Sequence, residues 1–114
     1  MAFSEFQAER IRIRLFGIPY SEKIMMGGLI FMVRGSMCVG LDYDKKRNED
    51  RLMVRVGKLD YESLLNKKGS RKMDFTGHVM RGFLFINASG FDLDEDLDYW
   101  IQKALDFNTI ISPE

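Results

Sequence analysis

Lys23-Ile24-Met25-Met26-Gly27-Gly28-Leu29-Ile30-Phe31-Met32-Val33 is the stretch on which the reading of the fold turns. From Ile24 to Val33 it carries no charge and little but apolar side chains. That run is far shorter than the roughly 20 residues needed to cross a bilayer. Its β-branched and aromatic content, and the Arg34-Gly35-Ser36 turn that bounds it, predict a strand from Lys23 to Val33. Gly27-Gly28 interrupts the run, and a glycine pair inside a strand signals a bulge or a close backbone approach. The strand is apolar on both faces, whereas one face of an antiparallel sheet is normally solvated. Pairing with a second copy would cover the excess, so a homodimer is the expectation.

Outward from this stretch the elements follow one another quickly. Met37 to Tyr43 returns as a second strand, and the polar run Asp44 to Asp50 is a loop. Leu52, Val54 and Val56 alternate with Arg51, Met53 and Arg55, which predicts a strand with one face in the core and the other towards solvent or a partner. Asp60 is placed to cap a short helix from Tyr61 to about Lys67, ended by Gly69. Arg71 to Phe75 and Val79 to Ile86 read as strands around a Thr76-Gly77-His78 turn, and Asn87 to Gly90 reads as a further turn. Asp92 with Glu95 resembles a capping pair. The closing helix then sets Leu97, Trp100, Ile101 and Ala104 on one apolar face, which makes Trp100 a core residue. Towards the N-terminus, Ser4 with Gln7 predicts the start of a helix running from about Glu5 to Phe16. Alternation through Ile11-Arg12-Ile13-Arg14-Leu15 competes with that reading, but Gln7, Glu9 and Arg10 favour helix and Gly17-Ile18-Pro19 ends it. The order α-β-β-β-α-β-β-α predicts one α+β domain over residues 1–114, a two-layer sandwich of a mostly antiparallel five-stranded sheet and helices.

Hydrophobic residues make up 46% of the 114, enough for a real core. Cys38 is the one cysteine, which excludes an internal disulfide and points to a reducing, cytoplasmic setting. The first residues are polar and mixed in charge, unlike a secretory leader. Formal net charge is zero, yet residues 51–81 hold eight basic side chains against three acidic, and residues 91–114 hold one against seven. A protein living by phosphate contact would be basic overall, so direct nucleic-acid binding is expected to be weak or absent.

Catalytic and metal chemistry find little to use. One cysteine and one histidine, His78, cannot make a structural zinc site. Asp92, Asp94 and Asp96 have the spacing that opens a calcium loop, but Leu97 and Lys103 stand where glycine and glutamate are required. No phosphate-cradling glycine loop and no nucleophile elbow occurs. Cys38 reads as a small buried hydrophobe and His78 as a solvated turn residue. Met25, Met32, Met37 and Met53 read as core filler within strands; a methionine surface that adapts to partners is the alternative.

Three motifs together resemble one family. Lys23 to Phe31 is similar to the K-x-M-F-G-G-x-x-F element of the TfoX/Sxy N-terminal domain family, with Met26 where phenylalanine is usual. Leu52-Met53-Val54-Arg55-Val56-Gly57 resembles its L-x-x-R-V-G strand end. Met73 to Gly82 resembles its M-D-F-T-G-R-P-M-x-G segment, with His78-Val79 in place of Arg-Pro. The resemblance spans about Arg10 to Phe107 and implies a stand-alone relative of the first domain of natural-competence regulators, with a two-layer antiparallel α+β fold.

Two functions follow as expectations. The first is a non-catalytic regulatory or interaction domain without a cofactor or metal, meeting a protein partner, itself DNA-bound or not, through the strand surface around Arg51, Arg55, Arg71 and Arg81. The second is a small-ligand binder or enzyme with a pocket near Gly27-Gly28, using Arg55, Asp74 and His78. The candidate binding residues are Lys23, Gly27, Gly28, Arg55, Asp74, His78 and Arg81, and none is assigned a catalytic role.

Overall fold

The computed structural model describes residues 3–75 and 77–112; Thr76, in the turn the sequence places before His78, lies outside them. Helix α1 (Glu5–Arg14) starts where expected, with the Gln7 backbone N–H donating to the Ser4 hydroxyl. The ambiguous alternation resolves as helix because Ala8, Ile11 and Leu15 share one buried face, at spacings of three and four, while Ile13 points outward. Six strands follow rather than five: β1 (Tyr20–Met25), β2 (Gly28–Val33), β3 (Ser36–Asp44), β4 (Glu49–Arg55), then β5 (Ser70–Phe75) and β6 (His78–Asn87) after the short helix α2 (Tyr61–Leu64). They form one antiparallel sheet in the order β1-β2-β3-β4-β6-β5.

The additional strand corrects the reading of the glycine pair. Lys23 to Val33 is not one strand with a bulge but a hairpin, with Met25 paired to Gly28. Met26 and Gly27, at φ 57° and 78°, are the two left-handed residues of its tight turn. The two glycines serve different ends. Gly27 is needed for its backbone angle, since a side chain there would meet nothing within 4 Å. Gly28 is needed for space, because a Cβ would be driven into the Leu41 carbonyl and lie 2.7 Å from the Asp42 Cβ of the neighbouring strand. The close approach is therefore to β3.

The Asn87–Gly90 segment forms part of a helical turn, α3 (Ala88–Phe91), and the closing helix α4 (Asp94–Ile111) is capped at Leu93 rather than Asp92. The helices cover one face of the sheet. There Leu97, Trp100 (2% exposed), Ile101 and Ala104 join Phe31, Val54 and Leu84 in the main core. Cys38 is buried in that core. It sits where β3 carries one residue more than β2, between the pairs Phe31–Val39 and Met32–Met37.

Candidate functional site

The opposite face of the sheet holds a second apolar cluster to which no helix contributes among the described residues. Its centre is Ile30, Met53, Met73 and Phe85, and packed around them are Met26, Met32, Met37, Met80 and Phe83. Strand register explains the alignment. Lys23 lies opposite Ile30, Ile30 opposite Gly40, Gly40 opposite Met53, Met53 opposite Phe85 and Phe85 opposite Arg71. One row of side chains thus crosses all six strands. Gly40 leaves the row low in the middle, since a Cβ there would sit 2.8 Å from Ile30 Cδ1 and 3.1 Å from Met53 Cε. The methionines read as core filler in the sequence are therefore split. Met32, Met37 and Met53 belong to this uncovered floor and Met25 is exposed.

Charge is organised at one end of the floor. Arg51 donates to both carboxylate oxygens of Asp42, at 3.0 and 2.8 Å, and its guanidinium stacks 3.8 Å from the centre of the Phe85 ring. Asp44 accepts from Arg71 at 3.1 Å, from Arg51 at 3.5 Å and from the backbone N–H groups of Lys46 and Arg47. Burial works to raise the Asp44 carboxyl. The two backbone donors and the charges of Arg51 and Arg71 outweigh it and hold the group below its ordinary value. Burial likewise opposes the charge of Arg51, and Asp42 and Asp44 overcome it, raising that guanidinium. Two acids and two arginines thus cancel one another.

Arg55 is different. Its guanidinium lies 5.1 Å from the Phe83 ring centre and 5.6 Å from that of Phe107, and it donates weakly to the Met37 carbonyl at 3.5 Å. No carboxylate lies within salt-bridge distance of it among the described residues. Arg55 and Asp74, named together as ligand-site candidates, make no ion pair with each other. Arg81 pairs with Glu62 at 3.6 Å, both well exposed, an arrangement of about 0–1 kcal/mol. Lys23 is exposed on edge strand β1.

The residues expected to line a pocket together are dispersed. Gly27 and Gly28 sit at the β1–β2 hairpin, Arg55 at the end of β4, and Asp74 and His78, both exposed, at the hairpin of β5 and β6. The cavity beside Gly28, lined also by Met26, Ile30, Gly40 and Met53, measures about 20 Å³. That is room for about one water molecule. Cys38 is buried, and burial pushes its thiol up to about 12, which suits packing and not nucleophilic attack. Among the described residues no three histidine, cysteine or carboxylate side chains come together as a metal site would need, and no helix is long and apolar enough to cross a membrane.

Sequence reasoning preferred core filler to a methionine surface for the methionines of the floor. The signal was present in Leu52-Met53-Val54-Arg55 and Leu84-Phe85-Ile86, where the residue facing away from the core is itself large and apolar. No curated protein and no solved structure matches the chain. The TfoX N-terminal domain matches residues 16–108, which takes in the sheet, the methionine floor, Arg55 and nearly all of α4. The chain belongs to the TfoX N-terminal domain family.

Proposed function

We propose that this is a non-catalytic interaction domain of the kind found in competence regulators, acting through a partner protein that docks on the open face of the sheet. The observation that carries the reading is the apolar floor around Met53 and Phe85, to which no helix contributes among the described residues. Methionine suits such a role, because its flexible, polarisable side chain repacks around differently shaped neighbours. The charge balance supports a protein partner rather than duplex DNA. Arg51 and Arg71, beside the floor, are committed to Asp42 and Asp44, so these two cations are not free for duplex phosphates. Lys23 and Arg55 remain on this side without carboxylates among the described residues. The complementary partner is an apolar segment flanked by acidic side chains.

Affinity capture from lysate of the native cell tests this, comparing the wild-type chain with Met26→Asp and Met80→Asp on the floor and Phe6→Asp on the exposed side of α1. The reading expects a protein retained by the wild type and Phe6→Asp and lost with both floor variants, at unchanged Tm. A captured set indifferent to the floor variants, or a floor that instead binds a second copy of this chain, would contradict it.

A further inference from the structure

A second feature lies away from the methionine floor, where the chain leaves β4. Val56 and Gly57 both donate their backbone N–H to the Gly82 carbonyl, at 2.8 and 3.0 Å, tying the end of β4 to a kink in β6. At this kink β6 holds several more residues than β5, whose pairing jumps from Lys72–Leu84 to Asp74–Val79. Gly57 has φ +85°, and a Cβ on it would strike the Phe107 ring, so α4 packs directly on this backbone. The result is a cleft of about 350 Å³ between the end of β4, the kink of β6 and α4.

The lining of that cleft is one-sided. Arg55, Lys58 and Arg81 face it with Phe83 and Phe107, and no acidic side chain lines it among the described residues. Arg55 lies beside two aromatic rings, gives one weak bond to the Met37 carbonyl and retains its other guanidinium N–H groups for a ligand. Glu62 reaches Arg81 at 3.6 Å from a largely exposed position, a pairing that a ligand displaces at little cost. An adjoining cavity of about 220 Å³ shares Gly57, Lys58 and Phe107. It adds Leu59, 99% exposed, and Ile110, 73% exposed, two apolar side chains with nothing laid on them. Asp60, Asp106 and Lys103 line this second cavity and not the first, so the first is the one whose charged lining is basic alone.

We propose that the cleft binds a small phosphate monoester, its phosphoryl group held by Arg55, Lys58 and Arg81 and a compact apolar body lying over Phe107 towards Leu59 and Ile110. Three cations without an acid suit a dianion better than a single carboxylate, and the planar arginine fork fits phosphoryl oxygens in pairs. The volume lies within the range of small-ligand sites, about 300–1,000 Å³. The assignment shares Arg55 with the docking reading but uses none of its methionines.

Isothermal titration of the full chain with phenyl phosphate at fixed ionic strength tests it. The expected result is saturable one-to-one binding, weakened about tenfold or more by Lys58→Ala and by Arg81→Ala, the loss of one charge-assisted hydrogen bond each. Both positions are exposed, so the fold should survive, and an unchanged Tm would verify that. Lys45→Ala, in the exposed β3–β4 turn at the other end of β4 from Arg55, should leave affinity within about twofold, as a distant surface charge should. Benzoate should bind at least about tenfold more weakly, having one negative charge in place of two. Absence of saturable binding, or equal weakening by all three variants, would overturn the proposal. A phosphoserine peptide binding more tightly than phenyl phosphate would overturn the small-molecule assignment and make the source of the phosphoryl group a protein.

Discussion

The two faces of the sheet are built from the same strands and differ in what lies over them. The covered face is closed by α1 and α4, and its side chains are branched or aromatic: Phe31, Val54, Leu84, Trp100. Such residues have few rotamers and pack in one way. The open face is methionine-rich, with Ile30 and two phenylalanines, and Arg51 and Arg71 pair across its strands with Asp42 and Asp44. The difference teaches that burial alone does not define the core. Met53, at 4% exposure, is nearly as buried as Trp100, yet it is shielded by neighbouring flexible side chains and not by a second layer.

Mutation separates the two faces. Trp100→Ala should cost about 3–5 kcal/mol in a denaturant titration, the range for an aromatic truncated in a closed core. A loss under about 1 kcal/mol would mean the helix layer contributes little and the contrast fails. Asp44→Ala should cost less, about 1–3 kcal/mol, by removing the carboxylate that Arg51 and Arg71 share.

The same group gives a pH signature. Its folded-state pKa lies below the ordinary 3.8, so on acidification the unfolded chain takes up this proton first. The stability it confers is fully present above that value and is lost as pH falls through the lower, folded pKa. Asp44→Asn should therefore flatten the acid limb of the stability curve below about pH 4. An unchanged limb would show that the charged end of the open face does not stabilise the fold.

Met80→Ala, at the rim of the floor, should change stability by under about 1 kcal/mol. A cost like that of Trp100→Ala would make the open face a structural core and remove the reason to assign it a partner. The smallest effect concerns duplex DNA. Fluorescence anisotropy with a random duplex should show at most weak binding at low salt, with a shallow fall of log affinity against log salt. Sub-micromolar affinity at physiological salt, tighter than the ordinary non-specific range of about 10⁻⁴–10⁻⁶ M, would show that Arg51 and Arg71 leave their carboxylates for phosphates.

Much of the fold was legible because it rests on local patterns. The Ser4 cap, the alternation in β4 and the four-residue spacing of α4 each name their element without reference to anything distant. The glycine pair was misread because a tight turn and a bulge use the same residues, and what separates them is whether Met25 pairs with Gly28, a fact of register. The site was less legible still. Arg55 could be named from its place in a strand, but its lack of a carboxylate depends on where Asp74 and Phe107 end up. The methionine floor needed the strand order, which sets residues from Met26 to Phe85 side by side.

The most direct test of the open face is hydroxyl-radical footprinting of the chain, alone and in the complex recovered from native cells. Met26, Met37 and Met80 on the floor would be read against Phe6, Ile13 and Phe16, which form the exposed apolar side of the α1 region. The account predicts that oxidation of the three methionines falls severalfold in the complex while Phe6, Ile13 and Phe16 are modified as in the isolated chain. Protection of Phe6, Ile13 and Phe16 with the methionines unchanged would place the partner on the helix side and contradict it.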